Sequence, residues 1–152
     1  MRKSILLIIL SVAICSCSEN KKEKEQIKIG QTTTEIRKPQ SELEKSIERG
    51  AIVYKDFCNQ CHRPNGKGVG RSFPPLANSD YLFEHREASI RGIKYGQQGE
   101  ITVNGKIYNG VMTPMGLSDQ EVVDVMNYIT NSWGNKSDKI TTLEEVTAIE
   151  KE

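Results

Sequence analysis

Two cysteines and a histidine form the chemically most informative pattern in the sequence. Cys58, Cys61 and His62 are spaced as Cys-x-x-Cys-His, the pattern of covalent c-type haem attachment. Two thiols three residues apart near the end of a helix point to the same side, so both reach the vinyl groups of one porphyrin and form thioethers. His62 then lies under the iron. The motif therefore predicts one covalently bound haem c.

Three other chemistries use cysteine pairs, and each fits this sequence less well. A structural zinc site needs four ligands, and the fourth would have to be the distant His85. A thioredoxin-like redox motif places its pair at the N-terminus of a helix, where the dipole lowers the thiol pKa, whereas this pair ends a predicted helix. A structural disulfide leaves the adjacent histidine unexplained. We therefore prefer haem attachment.

The helix that carries the motif is predicted from its cap. Ser41 to Glu44 form a capping box, in which the serine hydroxyl accepts from the Glu44 N–H and the glutamate side chain reaches back. Apolar residues then recur at spacings of three and four, which predicts one stripe facing a core and a helix reaching Cys61. The stripe consists of Leu43, Ile47, Ala51, Tyr54 and Cys58.

Loops and short elements follow the motif. Residues 63–78 are rich in proline and glycine and are predicted as loop. Ser79 or Asp80 caps a predicted helix over 81–95 that breaks near Arg86. The residues flanking Asn-Gly in 101–108 are β-branched or aromatic, which predicts a small hairpin.

The C-terminal third contains two further predicted helices. A second capping box, 118–121, opens a helix that ends before Gly134. Thr142 caps a last short helix with Val146 and Ile149 on its apolar side. The apolar stripe of the longer helix consists of Val122, Val125, Met126, Ile129 and Trp133.

The N-terminus has the order of an export signal. A basic start at 2–3 precedes an apolar run over 5–14, which is shorter than the ~20 residues of a transmembrane helix. The following 14–17 resemble the lipobox of bacterial lipoproteins, with Cys17 as the acylated residue and Cys15 as a departure from the pattern. The alternative is an ordinary cleaved signal with a free or disulfide-bonded Cys17.

These features predict the organisation of the chain and its location. A removed signal peptide covers 1–16, a lipidated cysteine with a flexible charged tether covers 17–40, and the domain covers 41–152, with a tail at 134–152. Several acyl chains on one cysteine hold a protein stably at a membrane. We therefore expect an exported protein on the periplasmic side or in the cell envelope, lipid-anchored to a bacterial membrane.

Composition and charge narrow the class of protein. The 21 Lys and Arg against 20 Asp and Glu give a charge of +1, which excludes a strongly basic nucleic-acid binder. Without residues 1–16, 44 of the remaining 136 residues are hydrophobic and the side-chain charge is −1. So few hydrophobic side chains provide little apolar surface for a core, and a buried macrocycle would supply the rest. The near-zero charge also predicts a largely neutral patch around the exposed haem edge.

The sequence from Ser41 to Trp133 resembles a class I cytochrome c. Gly50 and Tyr54 precede the motif as Gly-x-x-x-Tyr-x-x-x-Cys, as in the family's N-terminal helix, where a small residue permits close crossing with the C-terminal helix. Tyr128 and Trp133 belong to the matching C-terminal segment. The resemblance implies an all-α fold of three to five helices around one covalently bound haem, with a small β-hairpin near 101–108.

The same resemblance implies the other groups around the iron. The sequence at 73–76, Phe-Pro-Pro-Leu, looks like the family's loop whose proline carbonyl accepts from the ligating histidine, so Pro74 would orient His62. The sequence at 108–115 resembles the family's Met-Pro loop and implies Met112 as the second axial ligand. Thr113 stands where the family usually has proline, so Met115 stays an alternative ligand.

His/Met ligation closes both axial faces of the iron, which favours single-electron transfer over bond-making chemistry. We therefore expect a lipid-anchored monohaem cytochrome c, not an enzyme, that carries electrons between redox donor and acceptor complexes such as a dehydrogenase or a terminal oxidase. It would act as a monomer or within a larger complex. The main alternative is an electron-entry subunit docked on a periplasmic dehydrogenase, reductase or terminal oxidase. A further alternative, if neither methionine binds iron, is a five-coordinate haem that binds a gas or reacts with peroxide.

Overall fold

The computed structural model describes residues 40–151. The predicted signal peptide, Cys17 and nearly all of the predicted tether lie outside these residues. Within them the chain is mostly helical with one small antiparallel hairpin, as the sequence predicts. No helix in this part of the chain is both long and apolar enough to cross a bilayer.

Short helices joined by long loops make up the described residues. In chain order the elements are α1 (Glu42–Val53), a π-helical turn (Tyr54–Cys58), α2 (Asn59–His62), α3 (Asp80–Glu84), α4 (Arg86–Tyr95), β1 (Ile101–Val103), β2 (Lys106–Tyr108), α5 (Asp119–Ile129) and α6 (Leu143–Thr147).

Four predicted helix starts are confirmed by the hydrogen bonds of their caps. The hydroxyl of Ser41 accepts from the Glu44 N–H and that of Ser118 accepts from the Glu121 N–H, and both capping boxes are complete. Ser79 caps α3 by accepting from the Leu82 N–H, and Thr142 caps α6 by accepting from the Glu145 N–H. These side chains satisfy N–H groups that have no partner inside the helix.

The helical face that α1 buries differs from the predicted stripe. Its buried residues are Ser46, Gly50 and Val53, whereas Leu43 and Ile47 are only half-buried. The reason is the close crossing with α5, because a Cβ on Gly50 would overlap the backbone carbonyl of Asp124. Backbone contact at a glycine, instead of apolar side chains, decides which face of α1 turns inward. The close crossing that the family resemblance implies is confirmed.

Polar groups are buried along the same crossing. Asp124 is 3% exposed and accepts from the Ser46 hydroxyl at 2.7 Å and from two nitrogens of Arg49, each at 2.7 Å. Asn127 donates to the Ser46 Oγ at 3.0 Å. A buried carboxylate is stable only when it is paired and hydrogen-bonded, so this network fixes the register of α1 on α5.

The predicted break in the second helix and the predicted hairpin are both present. His85, with φ −114° and ψ 49°, separates α3 from α4. In the hairpin Ile101 pairs with Tyr108. Asn104 (φ 51°) and Gly105 (φ 71°) both have positive φ, the conformation that favours Asn-Gly in two-residue turns.

The helix predicted to continue as far as Trp133 instead ends at Ile129. Thr130 Oγ1 donates to the Met126 carbonyl at 2.7 Å, and Ser132 Oγ donates to the Tyr128 carbonyl at 2.7 Å. Such local bonds from hydroxyls compete with continuation of a helix. Trp133 adopts φ 54° and lies outside the helix.

The C-terminal tail packs back onto the helices. Val146 is fully buried and Ile149 is 7% exposed. The outer side of α4 binds the tail through Arg86, which donates to both carboxylate oxygens of Glu145 at 2.8 and 2.9 Å, and through Tyr95, which donates to the Ile149 carbonyl at 3.0 Å. The tail therefore fastens α4 to the rest of the fold.

We expect Glu145→Gln to lower the free energy of unfolding at pH 7 by about 1–2 kcal/mol, because it removes a charge-assisted pair. Arg86 holds the pKa of Glu145 down at about 2, from 4.5. A lowered carboxyl pKa stabilises the fold above about pH 4.5, and that contribution disappears as the pH falls through about 2. Urea denaturation between pH 7 and 2 should therefore show a flatter pH dependence in the variant.

Glu150→Gln is the matched control, because the contact at Glu150 is to its backbone carbonyl, which accepts from Arg91. The control should keep the pH dependence of the parent protein. Equal stability of the Glu145→Gln variant and the parent at pH 7 would contradict the role given to this pair.

Candidate functional site

An apolar cleft brings together the residues that the sequence singled out. Cys58, Cys61 and His62 line it on one side, and the segment with Met112 and Met115 also lines it. The further walls come from the loop at 72–76, from α4, from the hairpin and from one face of α5. All five side chains therefore face one shared space.

The π-helical turn delivers the two cysteines to this cleft. It inserts one residue into the helical run just before Cys58, and α2 then carries Cys61 and His62. Tyr54 donates to the Arg63 carbonyl at 2.7 Å, which fixes the end of the run. Both cysteines are half-buried, and before any attachment burial raises the pKa of the Cys58 thiol to about 11.

His62 is buried and held by one hydrogen bond. Its Nδ1 lies 2.9 Å from the carbonyl oxygen of Pro74, and a carbonyl only accepts, so Nδ1 carries the proton. Burial lowers the pKa of His62, against a smaller opposite effect of the Pro74 carbonyl. The ring is therefore neutral, with Nε2 as its basic nitrogen, which is the state that binds a metal.

The loop that carries Pro74 is shaped around glycines. Gly68 donates its N–H to the His62 carbonyl at 3.0 Å, at a φ of +63°. A Cβ on Gly68 would overlap the backbone carbonyls of Phe73 and Pro74. Close approach of two backbone segments thus places the Pro74 carbonyl beside the histidine.

Trp133 closes the other end of this loop. Its Nε1–H donates to the Pro64 carbonyl at 3.0 Å, and its ring lies 4.9 Å from that of Tyr54 and 5.5 Å from that of Tyr128. A side chain on Gly66 would meet the Trp133 ring. The aromatic cluster thereby joins the histidine loop to the crossing of α1 and α5.

Met112 and Met115 differ in how their backbones are held. Met112 exchanges two hydrogen bonds with Gln97, each of 2.8 Å, and forms an isolated bridge with it. Gly96, at φ +91°, leaves room for the Met112 carbonyl. Both methionines are half-buried. Met126, by contrast, is fully buried in the core, as the sequence predicts.

The sequence did not reveal that α4 is a wall of the cleft. Its inner side presents Ser89, Gly92 and Ile93, a small-residue pattern with little periodic signal. Among residues 40–151, Ser89 Oγ is the only buried side-chain oxygen or nitrogen without a hydrogen-bond partner. A buried hydroxyl without a partner costs about 1–3 kcal/mol, so an acceptor within the cleft would satisfy it.

These features fit a haem. Two thiols three residues apart, a neutral histidine with Nε2 available and thioether side chains are the donor set of covalent His/Met haem sites. Apolar walls suit the macrocycle, whose carboxylates would offer acceptors to a buried hydroxyl. His85, the other imidazole, is exposed, and its ring centroid lies 4.8 Å from that of Tyr81, with the two rings tilted by 38°.

Comparison with known proteins assigns the family. The sequence model of the cytochrome c family matches residues 47–133. Cytochrome c-552 of Thermus thermophilus is 42% identical over 106 residues, which cover 64% of this chain and 80% of the relative. The chain belongs to the cytochrome c family. It therefore carries covalently bound haem c and transfers electrons, and it is not itself an enzyme.

Two other relatives are parts of larger dehydrogenases. The cytochrome c subunit of a quinone alcohol dehydrogenase from Gluconacetobacter polyoxogenes is 36% identical over 104 residues, covering 66% of this chain and 22% of the subunit. The cytochrome c subunit of gluconate 2-dehydrogenase from Pantoea cypripedii is 30% identical over 114 residues, covering 69% of this chain and 24% of the subunit. This chain therefore spans only about a quarter of either subunit.

We expect Gly68→Ala to destabilise the haem-loaded protein by more than about 2 kcal/mol, because positive φ and backbone overlap both disfavour a side chain. The variant should also move the Pro74 carbonyl away from His62. Chemical denaturation measures the first effect, and the NMR shift of the His62 Nδ1 proton measures the second.

Gly70→Ala is the matched control for this loop. Gly70 also has positive φ, 54°, but a Cβ there meets nothing within 4 Å. It should cost only about 1 kcal/mol and leave the His62 proton unshifted. Equal costs at both glycines would contradict the close approach at Gly68.

Proposed function

We propose that this protein is a lipid-anchored monohaem cytochrome c that carries single electrons between redox complexes on one face of a bacterial membrane. One observation carries the proposal. The two thiols, the neutral His62 and both candidate methionine ligands line the same apolar cleft. When bound, haem c supplies reversible one-electron exchange between Fe(III) and Fe(II). The chain's own residues hold that group and set how readily it gains an electron.

Cys58 and Cys61 would hold the macrocycle covalently, with His62 and Met112 as axial ligands. Met112 is preferred over Met115 because both its backbone N–H and its carbonyl are tied to Gln97. A ligand on fixed backbone would keep its position when the iron changes charge, whereas no comparable pair of backbone hydrogen bonds holds Met115 within residues 40–151. A neutral thioether favours Fe(II) and raises the reduction potential relative to a second imidazole.

Pro74 would act on the bound haem through the histidine. Its carbonyl, 2.9 Å from Nδ1, fixes the orientation of the ring and makes Nε2 a stronger donor. The apolar cleft walls would keep water away from the bound haem, so its potential would depend on fixed protein groups. Neither role requires a vacant position for substrate, which is consistent with electron transfer alone.

Export and anchoring are proposed from the N-terminal sequence. Removal of 1–16 and acylation of Cys17 would leave 23 residues, 18–40, between the lipid and α1. A flexible chain of that length spans about 25 Å on average and about 75 Å when taut. The domain could then contact neighbouring complexes in the same membrane without leaving it.

A second proposal is that the protein is a fixed electron-entry subunit. The two dehydrogenase cytochrome subunits named above favour it, since a domain similar to this chain forms part of each. A free carrier and a subunit use the same cleft and the same tether. They differ only in whether a partner stays bound after each transfer.

We expect Met112→Ala to fold and retain covalent haem, but to lose the far-red thioether-to-Fe(III) charge-transfer band. Its potential should fall by on the order of 100 mV, because the neutral soft ligand is lost. Absorbance spectroscopy and potentiometry measure both effects.

Met115→Ala is the matched control and should retain both the band and the potential. The reversed pattern would move the axial ligand to Met115. If the parent protein lacks the band and binds carbon monoxide readily when reduced, the iron is five-coordinate, and the electron-carrier mechanism fails.

Co-purification separates the carrier from the subunit. Membranes are solubilised in mild detergent, and the haem-loaded protein is followed by its absorbance through size exclusion. A free carrier elutes as a small species at both low and high salt. Elution with a large dehydrogenase or reductase at both salt concentrations would favour the subunit.

A further inference from the structure

Tyr108 is a nearly buried tyrosine whose hydroxyl has no partner in the described protein. The residue lines the cleft and is 4% exposed. Its hydroxyl forms no hydrogen bond with residues 40–151, whereas the hydroxyls of Tyr54 and Tyr95 both donate to backbone carbonyls. Within the same residues Ser89 Oγ is the only fully buried oxygen or nitrogen without a partner. The Tyr108 oxygen therefore keeps contact with the open space of the cleft.

The hairpin holds Tyr108 in a fixed position. Tyr108 pairs with Ile101 across the two strands, and both residues line the cleft. The turn of the hairpin is attached to the start of α3 by two hydrogen bonds. The Asp80 N–H donates to Asn104 Oδ1 at 3.0 Å, and the Asn104 N–H donates to Asp80 Oδ1 at 2.6 Å. Because a two-stranded hairpin alone is only marginally stable, this attachment fixes the tyrosine relative to the cleft.

The cleft offers hydroxyls, and no cation, to an anionic group. Among residues 40–151 its lining includes no Lys, Arg, Asp or Glu. Two polar N–H groups of the lining are already used, since His62 Nδ1 donates to the Pro74 carbonyl and Gln97 Nε2 donates to the Gln98 carbonyl at 3.1 Å. A carboxylate is stable in an apolar cleft only when hydrogen-bond donors hold it. The hydroxyls of the lining are the principal donors left for that purpose.

Haem brings two carboxylates to such a cleft. A porphyrin joined to Cys58 and Cys61 through its vinyl groups carries its carboxylates on the opposite edge. The hairpin is a different wall from the helical run that bears the cysteines, so a donor on the hairpin suits that opposite edge. A methionine thioether is only a weak acceptor, whereas a carboxylate accepts short, strong hydrogen bonds from hydroxyls. The carboxylate is therefore the acceptor that matches the unpartnered tyrosine.

We propose that Tyr108 binds one carboxylate of the bound haem through its hydroxyl. Family membership supplies the haem, so the inference needs neither the lipid anchor nor the choice between the two methionines. Its consequence for the reduction potential rests on the proposed electron-carrier function. A hydroxyl donor takes up part of the negative charge of the carboxylate, and less negative charge near the iron favours Fe(II). Tyr108 thus raises the potential by acting through the carboxylate.

Tyr108→Phe tests the hydrogen bond, because it removes one oxygen and keeps the ring. The variant should fold and attach haem as the parent does. Resonance Raman spectroscopy of the reduced haem-loaded protein reports the bending mode of the haem carboxylate side chains. We expect this mode to move to lower frequency in Tyr108→Phe, because the carboxylate loses a donor. Potentiometry at about pH 8, where carboxylates are ionised, should give a lower potential than in the parent.

Tyr95→Phe is the matched control. The Tyr95 hydroxyl donates to the Ile149 carbonyl at 3.0 Å, and Tyr95 is not part of the cleft lining. This variant should lose a contact with the tail but keep both the carboxylate mode and the potential of the parent. Equal downshifts of the mode in both variants would point to a general loosening of the fold and overturn the proposal.

The hydroxyl proton of Tyr108 gives an independent readout in the parent protein itself. Low-spin Fe(II) is diamagnetic, so proton NMR of the reduced protein resolves the haem side chains. We expect the hydroxyl proton to show cross-peaks to the methylene protons of one haem carboxylate side chain. Its exchange with water should be at least about tenfold slower than that of a free tyrosine hydroxyl, because a bond to a charged acceptor must first break.

The remaining outcomes are distinguishable. Cross-peaks from this proton to the Met112 methyl group, with an unchanged carboxylate mode in Tyr108→Phe, would assign the hydroxyl to the axial thioether and overturn the proposal. Fast exchange with an unchanged mode would leave Tyr108 as part of an apolar wall and also overturn it. A shifted mode at an unchanged potential would support the hydrogen bond and contradict its effect on the carrier. None of these results bears on the carrier function, which fails only if the axial-ligand test above fails.

Discussion

The crossing of α1 and α5 at Gly50 is the constraint on which the other parts of the structure depend. Because a side chain at Gly50 would overlap the Asp124 carbonyl, the two helix backbones lie in contact, and their rotation is set by the bonds from Ser46 and Arg49 to Asp124. The helical run from α1 to α2 then fixes where the Cys-x-x-Cys-His motif emerges. The position of the haem site thus follows from contact between two backbones.

From that crossing, two attachments complete the cleft. On the histidine side, Tyr54 and Trp133 donate to carbonyls of Arg63 and Pro64, which tie the loop with the Pro74 carbonyl to the aromatic cluster. On the other side, α4 is fastened from outside by the tail, while its inner residues line the cleft. The tail lies beyond the residues that the family model matches, 47–133, yet it stabilises a wall of the family's site.

Local sequence signals predicted the starts of elements better than their faces or ends. Ser41, Ser118 and the Asn104-Gly105 turn act through neighbours in the chain, so their sequences suffice. The buried face of α1 depends on a contact with α5, which apolar spacing does not encode, and the end of α5 depends on hydroxyls returning to carbonyls. At the site, the spacing of Cys58, Cys61 and His62 alone predicts haem attachment. Ser89, by contrast, lines the cleft only because of the tertiary structure, so the sequence does not predict its position.

The distribution of acidic residues along the chain also follows from the helices. Of the 15 acidic residues in 40–151, 12 lie in helical segments. Some of them complete capping boxes, as Glu44 and Glu121 do, and others pair with arginine, as Asp124 and Glu145 do. Carboxylates favour helix N-termini because the N–H groups there lack partners. The loop at 63–78 holds Arg63, Lys67 and Arg71 but no acidic residue, and no helix begins within it. Within residues 40–151 the acidic side chains are therefore concentrated where helices need caps or ion pairs, and the loop that positions the Pro74 carbonyl is left basic.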